Sequence, residues 1–169
     1  KSDLTWKRCL GNDTAKVFSS VHEEMQANKN LKLPLIDIAV FEKILNANKD
    51  NVSKLFTFAG FENNNPVSVC LISILGNKAF YHYAASTERG RELSASYGMI
   101  YNLVRELRNL SIEELDFGGV SIDESSSGVD FFKYGFNGQI FDKIGEFDIA
   151  KSTLYSSFFS KVLKFKNKQ

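Results

Sequence analysis

The chain has 169 residues, 43% of them hydrophobic and 24% charged, enough apolar material for one globular core and too much for a disordered polymer. Its 21 Lys+Arg stand against 20 Asp+Glu, a net charge of +1, so no global positive field draws it to nucleic acid, although a local basic patch stays open. No stretch approaches the roughly 18 consecutive apolar residues that cross a bilayer, and a start at Lys1 rather than Met reads as an excised or processed piece, silent on targeting.

Leu4 to Leu10 has the look of a first strand, ended by the turn-prone Gly11-Asn12-Asp13. Asp13 can cap a helix to about Lys29, with Val17, Phe18, Val21 and Met25 on one face. After Pro34, Asp37 opens a second helix with Val40, Phe41, Ile44 and Leu45 on one stripe. The period then drops to two. Lys54 to Gly60 is strand-like, Asn63-Asn64-Asn65-Pro66 is turn chemistry, and Val67 to Leu75 is an apolar run suited to a strand buried on both faces. Gly76-Asn77 predicts a type II′ hairpin turn into a returning strand, Lys78 to Ala85. Ser94 to Asn109 reads as an amphipathic helix with Leu93, Tyr97, Ile100, Tyr101, Val104 and Leu107 as its inner face. Glu114 to Phe117 is a short strand, and a strand–helix–strand connection of this length implies a right-handed parallel crossover. A polar loop over Ser121–Gly128, a helical turn at Val129–Tyr134, a strand near Lys143–Ile149 and a helix from about Ser152 to Leu163 complete the chain.

With no linker and no internal repeat, residues 1–169 form a single α/β domain: a mixed central sheet, an antiparallel meander plus one parallel junction, flanked by helices. This order matches the GNAT-like acyltransferase fold. Fold does not establish function, so the site is argued separately. Cys9 and Cys70, like His22 and His82, are scattered. Structural zinc needs paired ligands at short spacing, so no metal site is expected. Two buried free thiols in a reducing cytoplasm are expected, with a Cys9–Cys70 disulfide as the alternative, and a Cys–His catalytic couple has no positional support.

Ligands bind where a parallel junction leaves a crevice. Beside it, Tyr81 and Tyr83 lie two apart on one strand, which predicts hydroxyls on a common face with His82 on the other. The same tyrosines would serve equally as packing against the helix. Asp116-Phe117-Gly118-Gly119 ends the partner strand, where paired glycines permit either a tight turn or close approach of a ligand. Phe131-Phe132-Lys133-Tyr134-Gly135-Phe136-Asn137-Gly138 sets a Lys among aromatics, suited to holding an ammonium beside a reacting group or to a snorkelling side chain.

Taken together, Tyr81-His82-Tyr83-Ala84-Ala85-Ser86, Asp116-Phe117-Gly118-Gly119, Phe132-Lys133-Tyr134-Gly135-Phe136-Asn137-Gly138 and Gly145-Glu146-Phe147-Asp148 resemble the FemAB-like family over roughly residues 78–150. Proteins of that family build peptidoglycan cross-bridges with amino acids from aminoacyl-tRNA, and related members are acetyltransferases of surface-polysaccharide gene sets. Many carry two GNAT-like domains, and this chain resembles the second, as a fragment or a single-domain relative. The resemblance implies that Phe132 positions the donor end, that Lys133 stabilises negative charge at the transferring ester, and that Tyr83, or Tyr81, lies near the reacting groups. Aminolysis needs a held amine, a proton acceptor and donors for the oxyanion, and no covalent enzyme intermediate; the sequence leaves the general base unassigned.

Two donors stay open, aminoacyl-tRNA and acetyl-CoA, neither a permanently bound cofactor. A CoA-using GNAT carries Arg/Gln-x-x-Gly-x-Gly/Ala before the helix, where backbone N–H groups hold pyrophosphate. Here Arg91-x-x-Ser94-x-Ser96 has the spacing with serines for glycines, although Arg89 and Arg91 could still touch phosphate. Ser86, Gly118 and Gly119 complete the expected substrate-binding set. Lys151, Lys161, Lys164, Lys166 and Lys168 could meet the tRNA acceptor end or an anionic membrane surface, or form a solvated tail. The function expected from the resemblance is transfer of an aminoacyl or acetyl group to an amine of a cell-wall or surface-glycan precursor, in the cytoplasm or at the inner face of the membrane. The alternatives are a CoA-dependent N-acetyltransferase and a non-catalytic binding module of a tandem pair.

Overall fold

The computed structural model describes residues 3–29, 40, 43, 54–120 and 128–142. The expected strand at Lys143–Ile149, the last helix, the C-terminal lysines and most of the second helix lie outside them. Val40 and Lys43 are helical, and Val40 is exposed rather than on a buried stripe. The chain falls into two compact units, Lys1–Ser126 and Ser127–Gln169.

In the first unit the order is β1 (Thr5–Cys9), α1 (Asn12–Lys29), β2 (Leu55–Glu62), β3 (Asn65–Leu75), β4 (Lys78–Ser86), α2 (Glu88–Glu92), α3 (Ala95–Asn109) and β5 (Glu114–Asp116). The second unit contributes α4 (Gly128–Tyr134). The five strands form one sheet in the order β1-β2-β3-β4-β5, antiparallel except where β4 meets β5 in parallel. The mixed α/β sheet read from the sequence is the observed one.

Turn chemistry sets the meander. Asn63 and Asn64 both take positive φ, +48° and +66°, as the two central residues of a type I′ turn must. Asn65 and Pro66, expected in the turn, therefore already belong to β3. Pro66 faces Phe61 where the register shifts, and pairing of β3 with β4 begins only at Ser68, so its missing N–H removes no ladder bond there. At the other hairpin Gly76 alone takes positive φ, +62°, the type II′ arrangement expected of Gly76-Asn77.

Side chains alternate across the sheet, so each face has its own core. On one face α1 supplies Phe18 and Val21 to a cluster with Cys9, Leu55, Ala59, Phe61, Val69, Leu71 and Ala85. Thr57 anchors that helix, its hydroxyl donating to the Thr14 carbonyl at 2.9 Å. On the other face lies α3, with Ala95, Met99, Ile100, Leu103 and Leu107 buried. This corrects the expected inner face: Ile100 and Leu107 point inward, but Tyr97, Tyr101 and Val104 are 48%, 66% and 41% exposed. Gly98 is the reason. Trp6 lies flat against Gly60 of β2 and Gly98 of α3, and a Cβ at Gly98 would come within 2.8 Å of the indole. The helix turns its glycine to the indole, which leaves Tyr97 and Tyr101 on its more exposed side. Cys9 and Cys70 are both buried free thiols.

Candidate functional site

The strands β4 and β5 share three register pairs, Lys78↔Glu114, Ala79↔Leu115 and Phe80↔Asp116. There β5 stops while β4 runs on to Ser86. The stretch Tyr81–Ser86 thus borders an opening in the sheet, as the parallel junction led one to expect. Across it, Asp116 bends the chain away: the Gly118 N–H donates to its Oδ1 at 2.7 Å, and Gly118 takes φ +73°. A Cβ at Gly118 or Gly119 would meet no atom within 4 Å. Gly118 is therefore needed for its backbone angle, and both glycines leave room beside the opening.

A β-bulge reshapes the tyrosine pair. Leu71 pairs with Tyr83 but Ile72 pairs with Tyr81, so His82 is the extra residue. The expectation that Tyr81 and Tyr83 share a face is corrected. Tyr81 lies on the α3 face, its ring 5.5 Å from that of Phe117, and Tyr83, 39% exposed, lies on the α1 face. Burial pushes the Tyr81 phenol far above the ordinary tyrosine range, so it can donate a hydrogen bond but cannot serve as a base. His82, expected to face away from both tyrosines, instead sits beside Tyr83 with ring centroids 6.4 Å apart. Its Nε2 is 2.7 Å from Ser73 Oγ, and it stacks on Phe80. Burial lowers its pKa.

The end of β4 is braced rather than open. Ser86 Oγ lies 3.0 Å from Ser68 Oγ and 2.9 Å from Ser96 Oγ, a chain of hydroxyls tying the sheet to the first turn of α3. Thr87 caps α2, a turn of helix that sequence patterning missed, by accepting the Gly90 N–H at 2.9 Å. Five residues are too few to show a 3.6 period, and the Thr-x-x-Gly cap was the available signal. Arg89 donates through Nε and a terminal nitrogen to both oxygens of Glu62, each at 2.8 Å, and to Glu92 at 2.9 Å. These bonds hold the Glu62 carboxyl below the usual carboxylate range. Arg91 donates to Glu88 at 2.7 Å and to the Ser86 carbonyl at 3.1 Å. Both arginines expected to reach a phosphate are thus engaged by carboxylates of this chain. Ser94 stands at φ +51° with no capping bond from its side chain. A left-handed backbone costs a serine roughly 1–2 kcal/mol more than it would cost glycine.

Phe132 and Lys133 belong to the second unit. Phe132 meets Phe136 edge-on with ring centroids 5.0 Å apart. Lys133, half-buried, stands in the last turn of α4, where a cation is favoured by the helix dipole. Among the described residues no group of three or more His, Cys, Asp or Glu could hold a metal ion, and no helix is long and apolar enough to cross a membrane.

The model of the FemAB family matches residues 10–163. The chain belongs to the FemAB family. A lipid II:glycine glycyltransferase of Staphylococcus aureus is 31% identical over 94 residues, covering 53% of this chain and 22% of the relative. The enzyme of the same name from Staphylococcus haemolyticus is 30% identical over 112 residues, covering 63% and 26%. The chain thus spans about a quarter of the length of the curated relatives it matches. Among solved structures, FemX superposes with a TM-score of 0.62 at 16% identity, covering 79% of this chain and 50% of FemX. An aminoglycoside acetyltransferase from an uncultured soil metagenomic sample, solved with sisomicin, gives 0.61 at 17% identity, covering 88% and 97%. A predicted acetyltransferase of Clostridium acetobutylicum with acetyl-CoA gives 0.57 at 18%, covering 86% and 96%. These likenesses show the acyltransferase fold that the FemAB match shares with GNAT-type proteins.

Proposed function

We propose that this FemAB chain transfers an aminoacyl group from aminoacyl-tRNA to an amine of a cell-wall precursor. The observation that carries the reading is the opening beyond Phe80↔Asp116, set in a family whose matched members are lipid II:glycine glycyltransferases. In this reading the amine attacks the ester carbonyl, the N–C bond forms, the C–O bond to the ribose breaks, and the proton lost by the amine ends on the departing ribose hydroxyl. Lys133 supplies positive charge to the developing oxyanion, and Phe132 positions the donor end. Tyr83 borders the acceptor side, while Tyr81, held protonated, offers a hydrogen bond from the α3 face. Gly118 and Gly119 admit the ligand. Such a donor places the reaction in the cytoplasm, with the lysines beyond Asp148 as a contact for tRNA or for the inner membrane surface.

The choice of donor rests on the segment between β4 and α3. A pyrophosphate needs open backbone and uncommitted cations there. Ser94 and Ser96 bring side chains, and Arg89 and Arg91 are held by Glu62, Glu92 and Glu88. We therefore expect acetyl-CoA at 1 mM to leave the melting temperature unchanged and a non-hydrolysable aminoacyl-adenosine to raise it. A ligand at a hundredfold excess over its Kd adds about 2.7 kcal/mol, worth several degrees for a domain of this size. A clear shift with acetyl-CoA instead would make the chain a CoA-dependent N-acetyltransferase.

A further inference from the structure

We propose that the protein binds the free amino end of a peptide at a second site, on the side of the sheet remote from the β4–β5 opening. A cavity of about 580 Å³ lies between the residues leading into β1 and the first turns of α3, and its wall brings together Asp3, Trp6, Glu92 and Asn102. That volume falls in the range of pockets that take small organic groups. β1 is the outermost strand, and β2 and β3 separate it from β4, three strand spacings or about 14 Å. The site therefore goes beyond the acyl-transfer reading and does not depend on it.

The wall is built around a fixed indole. Trp6 stands opposite Gly60 in the β1–β2 register, and a Cβ at Gly60 or at Gly98 would run into its ring. A glycine in the interior of a strand or a helix weakens that element, and here one of each is spent on seating the same side chain. Trp6 is only partly buried, and its indole N–H donates to no acceptor among the described residues. Asn102 is oriented by its own helix. Its Nδ2 donates to the Gly98 carbonyl at 2.8 Å, which turns the amide oxygen the other way, and that oxygen accepts nothing among the described residues. The cavity thus presents one donor and one acceptor that the fold itself leaves unused.

The charge of the wall selects the ligand. Asp3 pairs with no cation among the described residues, Glu92 shares Arg89 with Glu62, and no lysine or arginine lines the cavity. A carboxylate or phosphate is repelled there, and an ammonium is drawn in. An ammonium alone would leave the indole N–H without an acceptor, so the ligand carries a carbonyl beside its charge. The amino end of a peptide has that arrangement. Its three N–H groups reach the Asp3 carboxylate and Asn102 Oδ1, and the adjoining amide carbonyl accepts from Trp6. Leu4 and Leu93, both partly buried, give its first side chain an apolar wall. A free amino acid differs by a carboxylate, which the acidic wall opposes.

The chain holds a single tryptophan, so a proton–nitrogen NMR correlation spectrum contains one indole peak, and that peak reports on this wall. Leucinamide is titrated into the full chain at constant ionic strength, at a pH where its amine is charged. The indole peak is expected to move downfield along a saturable curve with a millimolar Kd, as its N–H gains a carbonyl. N-acetyl-leucinamide keeps the carbonyl and loses the charge, and should bind at least about tenfold more weakly. Asp3→Asn should weaken leucinamide by about three- to tenfold and melt like wild type, because Asp3 is exposed and precedes β1. Glu88→Gln, on α2 but outside the cavity, should bind as wild type does. An indole peak that stays in place, equal affinity for the acetylated amide, or undiminished affinity in Asp3→Asn would each overturn the assignment. None of those results touches acyl transfer, which is read separately by product formation.

Discussion

Lys133→Ala is expected to lower kcat by two to three orders of magnitude, the cost of removing a group that stabilises charge developing only in the transition state. Its melting temperature should move little, because Lys133 is half-buried in the last turn of the seven-residue α4 rather than part of a core. Lys133→Arg should recover a fraction of the rate, since the charge remains but a planar guanidinium replaces a compact ammonium. Substrate KM should change far less than kcat, because the interaction is made with the oxyanion and not with the ground state. Unchanged turnover in Lys133→Ala would remove this residue from the mechanism.

Gly90→Ala is expected to have the largest effect on stability. A Cβ there would overlap the Val67 carbonyl oxygen, which already accepts the Thr87 N–H at 3.0 Å and the Thr87 hydroxyl at 3.3 Å. The clash is with backbone, which cannot rotate away. The cost should lie at the upper end of the overpacking range, about 3 kcal/mol, and lower the melting temperature by roughly 6–12 °C for a domain of this size. Gly119→Ala, where a Cβ meets nothing within 4 Å, is the control and should melt close to wild type. A Gly90→Ala variant as stable as that control would contradict the packing of α2 on β3.

The sheet was legible because its signals are local. Asn63-Asn64 and Gly76-Asn77 fix two hairpins by backbone angle alone, and the run from Val67 to Leu75 had to be a central strand. The parallel junction followed from the length of the β4–α3–β5 connection. What the sequence hid depends on tertiary contacts. The inner face of α3 is decided by Gly98 meeting Trp6, some ninety positions away, so two apolar stripes of similar strength could not be ranked from the pattern. The bulge at His82 carries no composition cue, because neither a glycine nor a proline marks it, and strict alternation therefore put Tyr83 on the face of Tyr81 instead of that of His82. Arg89 was read as a phosphate contact because its partner Glu62 lies on β2 and out of sequence range, and Arg91 because its pairing with Glu88 depends on the short helix α2 that patterning missed. The motifs at Asp116–Gly119 and Phe132–Lys133 were visible because short glycine and aromatic clusters survive in sequence without any knowledge of packing.

The most direct measurement is single-turnover transfer by the purified full chain, with labelled aminoacyl-tRNA or labelled acetyl-CoA offered separately alongside a lipid-linked cell-wall precursor that carries a free amine. Label should move from aminoacyl-tRNA to the precursor in an alkali-stable amide, whereas the donor ester is alkali-labile, and acetyl-CoA should give no product. Transfer of the acetyl group alone, or no amide from either donor, would contradict the aminoacyl-transfer reading.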